Sequence, residues 1–257
     1  MPHTNILSVI VKRPAAGQTK TRLLPTLAPE QAATLSECFL KDTLEVMRQV
    51  PNAQREIAFL PEAERPYFAR LAPDFGLYLQ EGADLGARLD RALQHYLRPG
   101  NCYAVIMDSD SPTLPAACLV QAFEALEEGA DVVLGPCDDG GYYLIGLKRP
   151  APRLLREVQM STPRVLQDTL ALAAAEGLKA SLLPTWYDID EVGSLARLVQ
   201  ELEESRPEAA PHTRAFLAAV ALKGPIGASP WAPPTSVGVR DIGNLHGKNR
   251  RHRPGAE

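Results

Sequence analysis

The 257-residue chain is 45% hydrophobic and 23% charged, which is the composition of an ordinary globular protein that can bury a sizeable core. Its formal net charge of −4 argues against a general nucleic-acid-binding protein, because such proteins usually show a basic footprint. The four cysteines form no CxxC pair, and the apolar run ILSVIV is too short to cross a membrane. We therefore expect a cytoplasmic protein with reduced cysteines, no signal peptide and no membrane span.

Short apolar runs alternate with helical patterns along the chain, and this alternation predicts an α/β fold with a mainly parallel sheet. The predicted strands cover residues 5–11, 55–60, 76–81, 102–108, 131–135 and 181–189. The predicted helices cover residues 29–50, 84–97, 115–129, 161–177, 191–205 and 212–222.

The composition changes at Lys223. The last 35 residues hold five prolines, six glycines and six lysines or arginines against two acidic residues, and their apolar residues show no period. We therefore expect one folded domain over residues 1–222 and a disordered basic tail over residues 223–257.

The first predicted strand runs directly into a loop that holds Lys12, Lys20 and Arg22 around Gly17. Glycine lets backbone N–H groups approach oxygen atoms closely, and the cationic side chains neutralise charge, so the loop suits a polyphosphate. It is not a P-loop, because the glycine that GxxxxGK[ST] requires directly before the lysine is missing. A basic surface loop without a ligand is the alternative.

Gly82, Asp84 and Gly86 begin the predicted helix that follows the third strand. These residues could line a nucleotide pocket, or they could simply start the helix, since aspartate is favoured at helix N-termini.

Asp108 and Asp110 follow the predicted central strand within MDSDSP. Alternate side chains of an extended chain project the same way, and the crevice outside the carboxyl ends of strands is the usual ligand site of open α/β sheets. Two carboxylates there can hold Mg²⁺ or Mn²⁺. A turn and helix-capping role for the Asp-Ser-Pro segment is an equally good alternative.

Two later segments also bring acids to predicted strand ends. In GPCDDGGYYLIGL, Gly140 and Gly141 permit close approach of a ligand, and the neighbouring tyrosines could stack on a ring. A hairpin turn is the alternative there, and both readings can hold together. In WYDIDE, Asp190 could complete a metal site with Asp110 or could cap the next helix.

Taken together, these segments resemble a bacterial family of small nucleotide-diphospho-sugar-transferase-like proteins, whose members are often named glycosyltransferases and in some cases are linked to arsenosugar biosynthesis. The sequence is similar, more distantly, to 2-phospho-lactate guanylyltransferase and molybdenum-cofactor guanylyltransferase. The resemblance spans roughly residues 5–205 and rests on KRPAAGQTKTRL, GADLGARL, DSPTL, GPCDDGGYYLIGL, STPRVL and DIDE, in this order.

The resemblance implies a GT-A-like α/β fold, with a mixed, mostly parallel sheet sandwiched between helices. It implies a metal-dependent transferase that uses Mg²⁺ or Mn²⁺, a nucleotide or nucleotide-sugar donor and a small-molecule acceptor. A nucleotidyltransferase that releases pyrophosphate from a nucleoside triphosphate is the second reading, and a non-catalytic nucleotide-binding protein is the third.

The resemblance and the loop analysis together assign the site residues. The expected nucleotide contacts are Lys12, Gly17, Lys20, Arg22, Gly82, Asp84 and Arg88. The expected catalytic residues are Lys20, Arg22 and Asp110; the expected metal ligands are Asp110 and Asp190. The residues expected to face the sugar or acceptor are Asp139, Gly140, Gly141 and Tyr142.

Two positions depart from the family pattern. Asp108 stands where glycine is commoner, and Met160 replaces a tryptophan expected before Ser161-Thr162.

Overall fold

The computed structural model describes residues 4–98 and 101–221, so the predicted tail, residues 223–257, lies outside the described residues. Within the described part, the strands are β1 (Thr4–Lys12), β2 (Ala53–Leu60), β3 (Gly76–Leu79), β4 (Asn101–Met107), β5 (Val132–Pro136), β6 (Tyr142–Leu147) and β7 (Ala180–Leu182). The α-helices are α1 (Pro29–Arg48), α2 (Arg65–Leu71), α3 (Leu85–Tyr96), α4 (Ala116–Glu127), α5 (Pro152–Arg156), α6 (Val165–Ala175), α7 (Val192–Glu204) and α8 (Pro211–Ala221).

The strands form one sheet in the order β3-β2-β1-β4-β6-β5-β7. Every neighbouring pair is parallel except the two that involve β6, which runs antiparallel to both β4 and β5. The prediction of a mixed, mostly parallel sheet is therefore confirmed.

Apolar clusters cover both faces of the sheet. One cluster joins α1, α2 and α4 to the sheet face that carries Leu7 and Val9, and another joins α3, α5 and α6 to the face that carries Ile6. A third cluster packs α7 and α8 onto α1, and it also buries Leu23 and Ile189 from two loops. Because these loops share one cluster, they are held beside each other at the sheet edge.

Some predicted elements need correction. The predicted strand 181–189 is wrong beyond Leu182: β7 ends there, and Pro184, which has no N–H to donate to a ladder, follows two residues later. The predicted helix 161–177 begins only at Val165, because residues 161–164 form a turn instead. The short helices α2 and α5 were not predicted, since fewer than eight residues show no clear period.

The structure also bears on the cysteines and on membrane-spanning helices. Cys38, Cys118 and Cys137 carry free thiols, whereas the side chain of Cys102 lies outside the described part of the structure. None of the helices in residues 4–98 and 101–221 is both long and apolar enough to cross a lipid bilayer.

The topology gathers several loops at one edge of the sheet. β1, β4 and β5 are parallel to one another through the sheet and end at this edge, whereas antiparallel β6 begins there. The loops that follow β1, β4, β5 and β7 therefore meet at the crevice where ligands bind in open α/β sheets.

Asp42 of α1 holds the start of α8 in place. Its two carboxylate oxygens accept hydrogen bonds from the backbone N–H groups of His212 and Thr213, each at 2.9 Å, and the residue is 1% exposed. The first N–H groups of a helix have no partner within the helix, so this carboxylate supplies a cap across the third cluster.

We predict that Asp42→Ala lowers the free energy of unfolding by about 2 kcal/mol, because the buried Thr213 N–H and the partly buried His212 N–H lose their acceptor. Asp42→Asn keeps one acceptor oxygen and should lose about half as much. Glu203→Ala, at an exposed position of α7, is the matched control and should stay within about 0.5 kcal/mol of the wild type. Chemical denaturation measures all three, and equal values for Asp42→Ala and Glu203→Ala would contradict the capping role.

Candidate functional site

The loop after β1 turns a lysine inward. Lys20 has left-handed backbone angles, φ 50° and ψ 44°, directly before a short 3-10 turn whose Leu23 is fully buried. The Thr19 hydroxyl stabilises this loop by accepting a hydrogen bond from the Ala15 N–H at 2.9 Å. As a result the Lys20 side chain is only 6% exposed. A non-glycine residue in this conformation is strained, and such strain is often retained at functional sites.

The Lys20 ammonium lies between two carboxylates. Its Nζ is 2.7 Å from Asp110 Oδ1 and 2.6 Å from Asp190 Oδ1. Burial disfavours the charged ammonium, but Asp110 and Asp190 outweigh this effect and raise the pKa of Lys20 above its ordinary value. Two acids from distant parts of the chain therefore converge on one cation.

Backbone contacts bring the two acidic segments together. The Ile189 N–H donates to the Asp110 carbonyl at 3.0 Å, and the Ser111 hydroxyl donates to the Tyr187 carbonyl at 2.8 Å. These bonds fasten the segment before α7 to the turn after β4. Asp190 is thereby placed beside Asp110, as the alternating acids at the two predicted strand ends suggested.

Asp108 has a different position from Asp110. Its Oδ1 accepts a hydrogen bond from the Asp110 N–H at 3.0 Å, so the Asp108 side chain stabilises the turn that follows β4. Burial and the neighbouring Asp110 raise the pKa of Asp108 well above its ordinary value. The residue that precedes α4 is Pro115 and the residue that precedes α7 is Glu191, so neither Asp110 nor Asp190 occupies the helix-capping position.

A second acidic group lies next to this pair. Cys137 Sγ and one carboxylate oxygen each of Asp139 and Asp188 lie within 4.8 Å of one another. Burial, Asp190 and Asp139 raise the pKa of Asp188 to about 6. Burial and nearby aspartates, Asp108 first among them, raise the pKa of the Cys137 thiol, which disfavours the thiolate that a metal would require.

These residues border two connected hollows. A cavity of about 550 Å³ lies between the sheet edge, α3 and the start of α6. Its apolar wall is formed by Ile10, Leu85, Leu89, Ile106, Met160 and Val165, and its acidic rim is formed by Asp108, Asp110, Asp139, Asp188, Asp190 and Glu191. A neighbouring cleft of about 380 Å³ is bordered by Lys12, Lys20, Arg22 and the polar residues 18, 19 and 21. We call the first the acidic cavity and the second the cationic cleft.

Asp110 and Asp190 border both hollows, so the carboxylate pair stands at their junction. Arg22 also borders both; its side chain is 70% exposed, and Nη1 lies 3.4 Å from Glu191 Oε1. At this exposure the ion pair contributes little to stability, so the guanidinium can leave Glu191 and contact a ligand at little cost in free energy.

The structure brings only part of the expected set to the two hollows. Lys12 borders the cationic cleft, and Asp139, Gly141 and Tyr142 border the acidic cavity. The residues of the expected set that border neither hollow are Gly17, Gly82, Asp84, Arg88 and Gly140.

Several of the latter residues have local structural roles. Asp84 caps α3 by accepting a hydrogen bond from the Ala87 N–H at 2.8 Å. Gly140, at φ 87°, lies against the Pro163 carbonyl, which a Cβ would approach to 2.0 Å. This close packing holds the β5–β6 turn against the segment before α6. The nearby helix α3 reaches the cavity through Leu85 and Leu89 instead.

Two further residues were missed by the sequence reasoning. Asp188 lies in the same WYDIDE segment as Asp190 and follows the same alternation, so its signal was present. Arg197 of α7 has no signal in the sequence, because the pattern of residues 191–205 predicts only an amphipathic helix that closes the folded part. Its guanidinium lies 3.7 Å from the centre of the Tyr187 ring, and Nη1 donates to Asp138 Oδ2 at 2.6 Å. Arg197 therefore ties the β5–β6 turn to α7.

The family comparison matches residues 43–162 to the family described as "Uncharacterized protein conserved in bacteria (DUF2064)". A search of the curated proteins found no match. Among solved structures, the chain is similar to a provisionally named nucleotide-diphospho-sugar transferase from Desulfovibrio desulfuricans G20. The two are 30% identical with a TM-score of 0.78, over 84% of this chain and 95% of that one.

More distant structures share the fold. A cytidylyltransferase from Leptospira borgpetersenii serovar Hardjo-bovis (strain JB197) is 11% identical with a TM-score of 0.53, over 85% of this chain and 95% of that one. The manganese complex of Rv0371c from Mycobacterium tuberculosis H37Rv is 20% identical with a TM-score of 0.50, over 77% of this chain and 99% of that one. The fold agrees with both, and the Desulfovibrio relative shows the family: the chain belongs to the bacterial nucleotide-diphospho-sugar-transferase-like proteins.

Proposed function

We propose that the protein is a metal-dependent transferase that uses a nucleotide-diphospho-sugar as its donor. The observation that carries this proposal is the convergence of Asp110 and Asp190 on one cation at the junction of the cationic cleft and the acidic cavity. A donor with its diphosphate in the cleft and its sugar in the cavity would place the bond to be broken beside this pair.

The residues at the junction suit a hard divalent cation. Asp110 and Asp190 offer carboxylate oxygens, which Mg²⁺ and Mn²⁺ prefer, and the Lys20 ammonium shows that a cation is stabilised between them. The manganese complex of Rv0371c, a protein of the same fold, supports the same choice. A bound cation would neutralise diphosphate charge.

The side chains of the cationic cleft would bind and orient the donor. Lys12 and Arg22 would neutralise the diphosphate oxygens, and so would Lys20 when a metal ion replaces its ammonium between the two carboxylates. Lys20 and Arg22 would also stabilise the charge that develops on the leaving nucleoside diphosphate. Residues 18–22, which follow Gly17 in the same loop, border this cleft. On the other side of the junction, Asp139, Gly141 and Tyr142 face the sugar or the acceptor.

Glycosyl transfer would proceed by attack of an acceptor atom on the anomeric carbon. The bond between that carbon and the diphosphate oxygen breaks, and the nucleoside diphosphate leaves with the bonding electrons. Most of the rate enhancement would come from positioning and from the fixed charges at the junction.

A nucleotidyltransferase is the second candidate, favoured by the shared fold with the Leptospira cytidylyltransferase. In that reaction a phosphorylated substrate attacks the α-phosphorus of a nucleoside triphosphate and pyrophosphate leaves. A non-catalytic nucleotide-binding protein is the third candidate.

A product assay separates the three candidates. The purified protein is incubated with nucleotide sugars or nucleoside triphosphates, with and without MnCl₂, and mixed small-molecule acceptors. We expect metal-dependent release of nucleoside diphosphate. Pyrophosphate release would replace the first candidate by the second, and a raised melting temperature without any turnover would leave a binding protein.

We predict that Asp110→Asn lowers the affinity for a nucleoside diphosphate by at least about tenfold in the presence of Mn²⁺, because one of two anionic ligands is lost. Isothermal titration calorimetry with and without Mn²⁺ measures the change. Glu127→Gln, at an exposed position of α4, removes the same charge far from the junction and serves as the control. An unchanged metal-dependent affinity in Asp110→Asn would remove Asp110 from the metal site.

We predict that Lys20→Met weakens binding of a nucleoside diphosphate at least about tenfold more than binding of the parent nucleoside, since a charge-assisted contact to phosphate is lost. Methionine keeps the aliphatic length of the side chain, so packing is disturbed little. Equal losses for both ligands would remove Lys20 from the diphosphate site.

The same variant tests the carboxylate pair without any nucleotide. In Lys20→Met, Asp110 and Asp190 face each other without their cation, so we expect the free energy of unfolding to fall. The decrease should be only about 1–2 kcal/mol, because both carboxylates are partly exposed to solvent. Mn²⁺ should then raise the melting temperature of Lys20→Met more than that of the wild type, in which the ammonium competes for the position. Equal shifts in both proteins would contradict this competition.

A further inference from the structure

The two hollows at the junction differ in charge. Three cationic residues, Lys12, Lys20 and Arg22, border the cationic cleft beside Asp108, Asp110 and Asp190. By contrast, Arg22 is the one lysine or arginine among the described residues that border the acidic cavity, which has six carboxylate side chains. A diphosphate is therefore better matched by the cleft than by the cavity. The hollow on the other side must take something of different chemistry.

The acidic rim is only partly neutralised by the protein itself. Lys20 pairs with Asp110 and Asp190, and Arg22 pairs with Glu191. Across residues 4–98 and 101–221, no lysine or arginine forms an ion pair with Asp139 or Asp188. One carboxylate oxygen of each lies within 4.8 Å of the other. The cavity thus presents two facing carboxylates that lack a cation.

Another part of the cavity lining is apolar. Leu85, Leu89 and Val165 line it, and Tyr142 and Met160 stand beside them with the tyrosine oxygen 3.6 Å from Sδ. With about 550 Å³ of space, the cavity is large enough for a sugar and part of a second small molecule. Such a molecule would have one polar end and one apolar face.

We propose that the acidic cavity selects an acceptor that carries no negative charge: a small organic molecule with hydroxyl or ammonium donors directed at Asp139 and Asp188 and an apolar part against Leu85 and Leu89. This proposal rests on the proposed function, because it names the second substrate of that transferase. Facing carboxylates accept hydrogen bonds from hydroxyl or ammonium groups, and they repel a phosphate or carboxylate group at the same place.

A divalent cation at the junction does not reverse this selection. The donor diphosphate carries at least as much negative charge as the cation neutralises, so the charge of Asp139 and Asp188 remains for the acceptor to meet. A phosphorylated acceptor, such as the second candidate reaction uses, is disfavoured by the same repulsion. The cavity therefore favours glycosyl transfer over nucleotidyl transfer to a phosphorylated substrate.

The charge selection can be measured with probes of the cavity itself. Met160→Cys places a thiol on the cavity wall, and two methanethiosulfonate reagents of similar size, one with a trimethylammonium group and one with a sulfonate group, compete for it. Each forms a mixed disulfide and releases methanesulfinate. Mass spectrometry of the peptide that contains position 160 gives the two rates at that thiol, separately from any reaction at the native cysteines.

Ala117→Cys supplies the reference ratio of cationic to anionic rates, because this position is exposed on α4, which packs on the other face of the sheet. We expect the ratio at the Met160→Cys thiol to exceed the reference by at least about tenfold. Adding Asp139→Asn or Asp188→Asn should lower it about threefold each, whereas adding the control Glu127→Gln should leave it unchanged. In Asp139→Asn, the asparagine side chain keeps an oxygen that can accept the hydrogen bond from the Gly141 N–H.

Three results would overturn the proposal: a ratio at or below the reference, a ratio that neither asparagine variant lowers, or a thiol that neither reagent reaches, since a closed cavity admits no acceptor. The labelling requires neither nucleotide nor turnover. If the protein releases nucleoside diphosphate but the ratio at position 160 equals the reference, only the proposal about the acceptor is refuted. If the ratio is high but no turnover is detected, only the proposed transferase activity is refuted.

Discussion

The buried ammonium of Lys20 is the interaction on which the site depends. Asp110 and Asp190 would repel each other if nothing stood between them, and their loops are joined there by two ion pairs of 2.7 and 2.6 Å. The left-handed backbone at Lys20 costs about 1 kcal/mol or more. The structure offsets this cost with the buried side chains of Leu23 and Ile189, which belong to one apolar cluster. Packing and electrostatics therefore hold the same two loops together.

The reversed direction of β6 explains why the site has two sides. In a fully parallel sheet, the connection from β5 would cross to the far edge before the next strand began. Because β6 returns antiparallel between β4 and β5, residues 137–142 turn at the same edge as the acids after β4. Arg197 and the close contact between Gly140 and Pro163 then fix this turn against α7 and the start of α6. The part of the cavity lining that residues 137–142 supply is therefore a product of this one strand reversal.

Much of the fold could be predicted from the sequence, because buried parallel strands and amphipathic helices leave strong local patterns. The convergence of Asp110 and Asp190 was also within reach, since acids at the carboxyl ends of strands meet at one edge. Two features of the site could not be predicted from the sequence. The inward direction of Lys20 depends on a single left-handed residue, and the pairing of Asp139 with Asp188 depends on the direction of β6. Neither leaves a periodic signal.

The division of charge at the junction links the ion pairs to the chemistry. A transferase must hold an anionic donor and a second substrate on either side of one bond, and a uniformly cationic site would accept phosphorylated molecules on both sides. Here the cations lie at the end of β1 and in the loop after it. Asp139 and Asp188, two carboxylates that form no ion pair with a lysine or arginine of the described residues, lie in the segments after β5 and β7. Under the proposed function, donor and acceptor would be distinguished by which loops at the sheet edge they contact. Because Lys20 reaches across to Asp110 and Asp190, it also keeps the two compartments of opposite charge in contact at the point where transfer would take place.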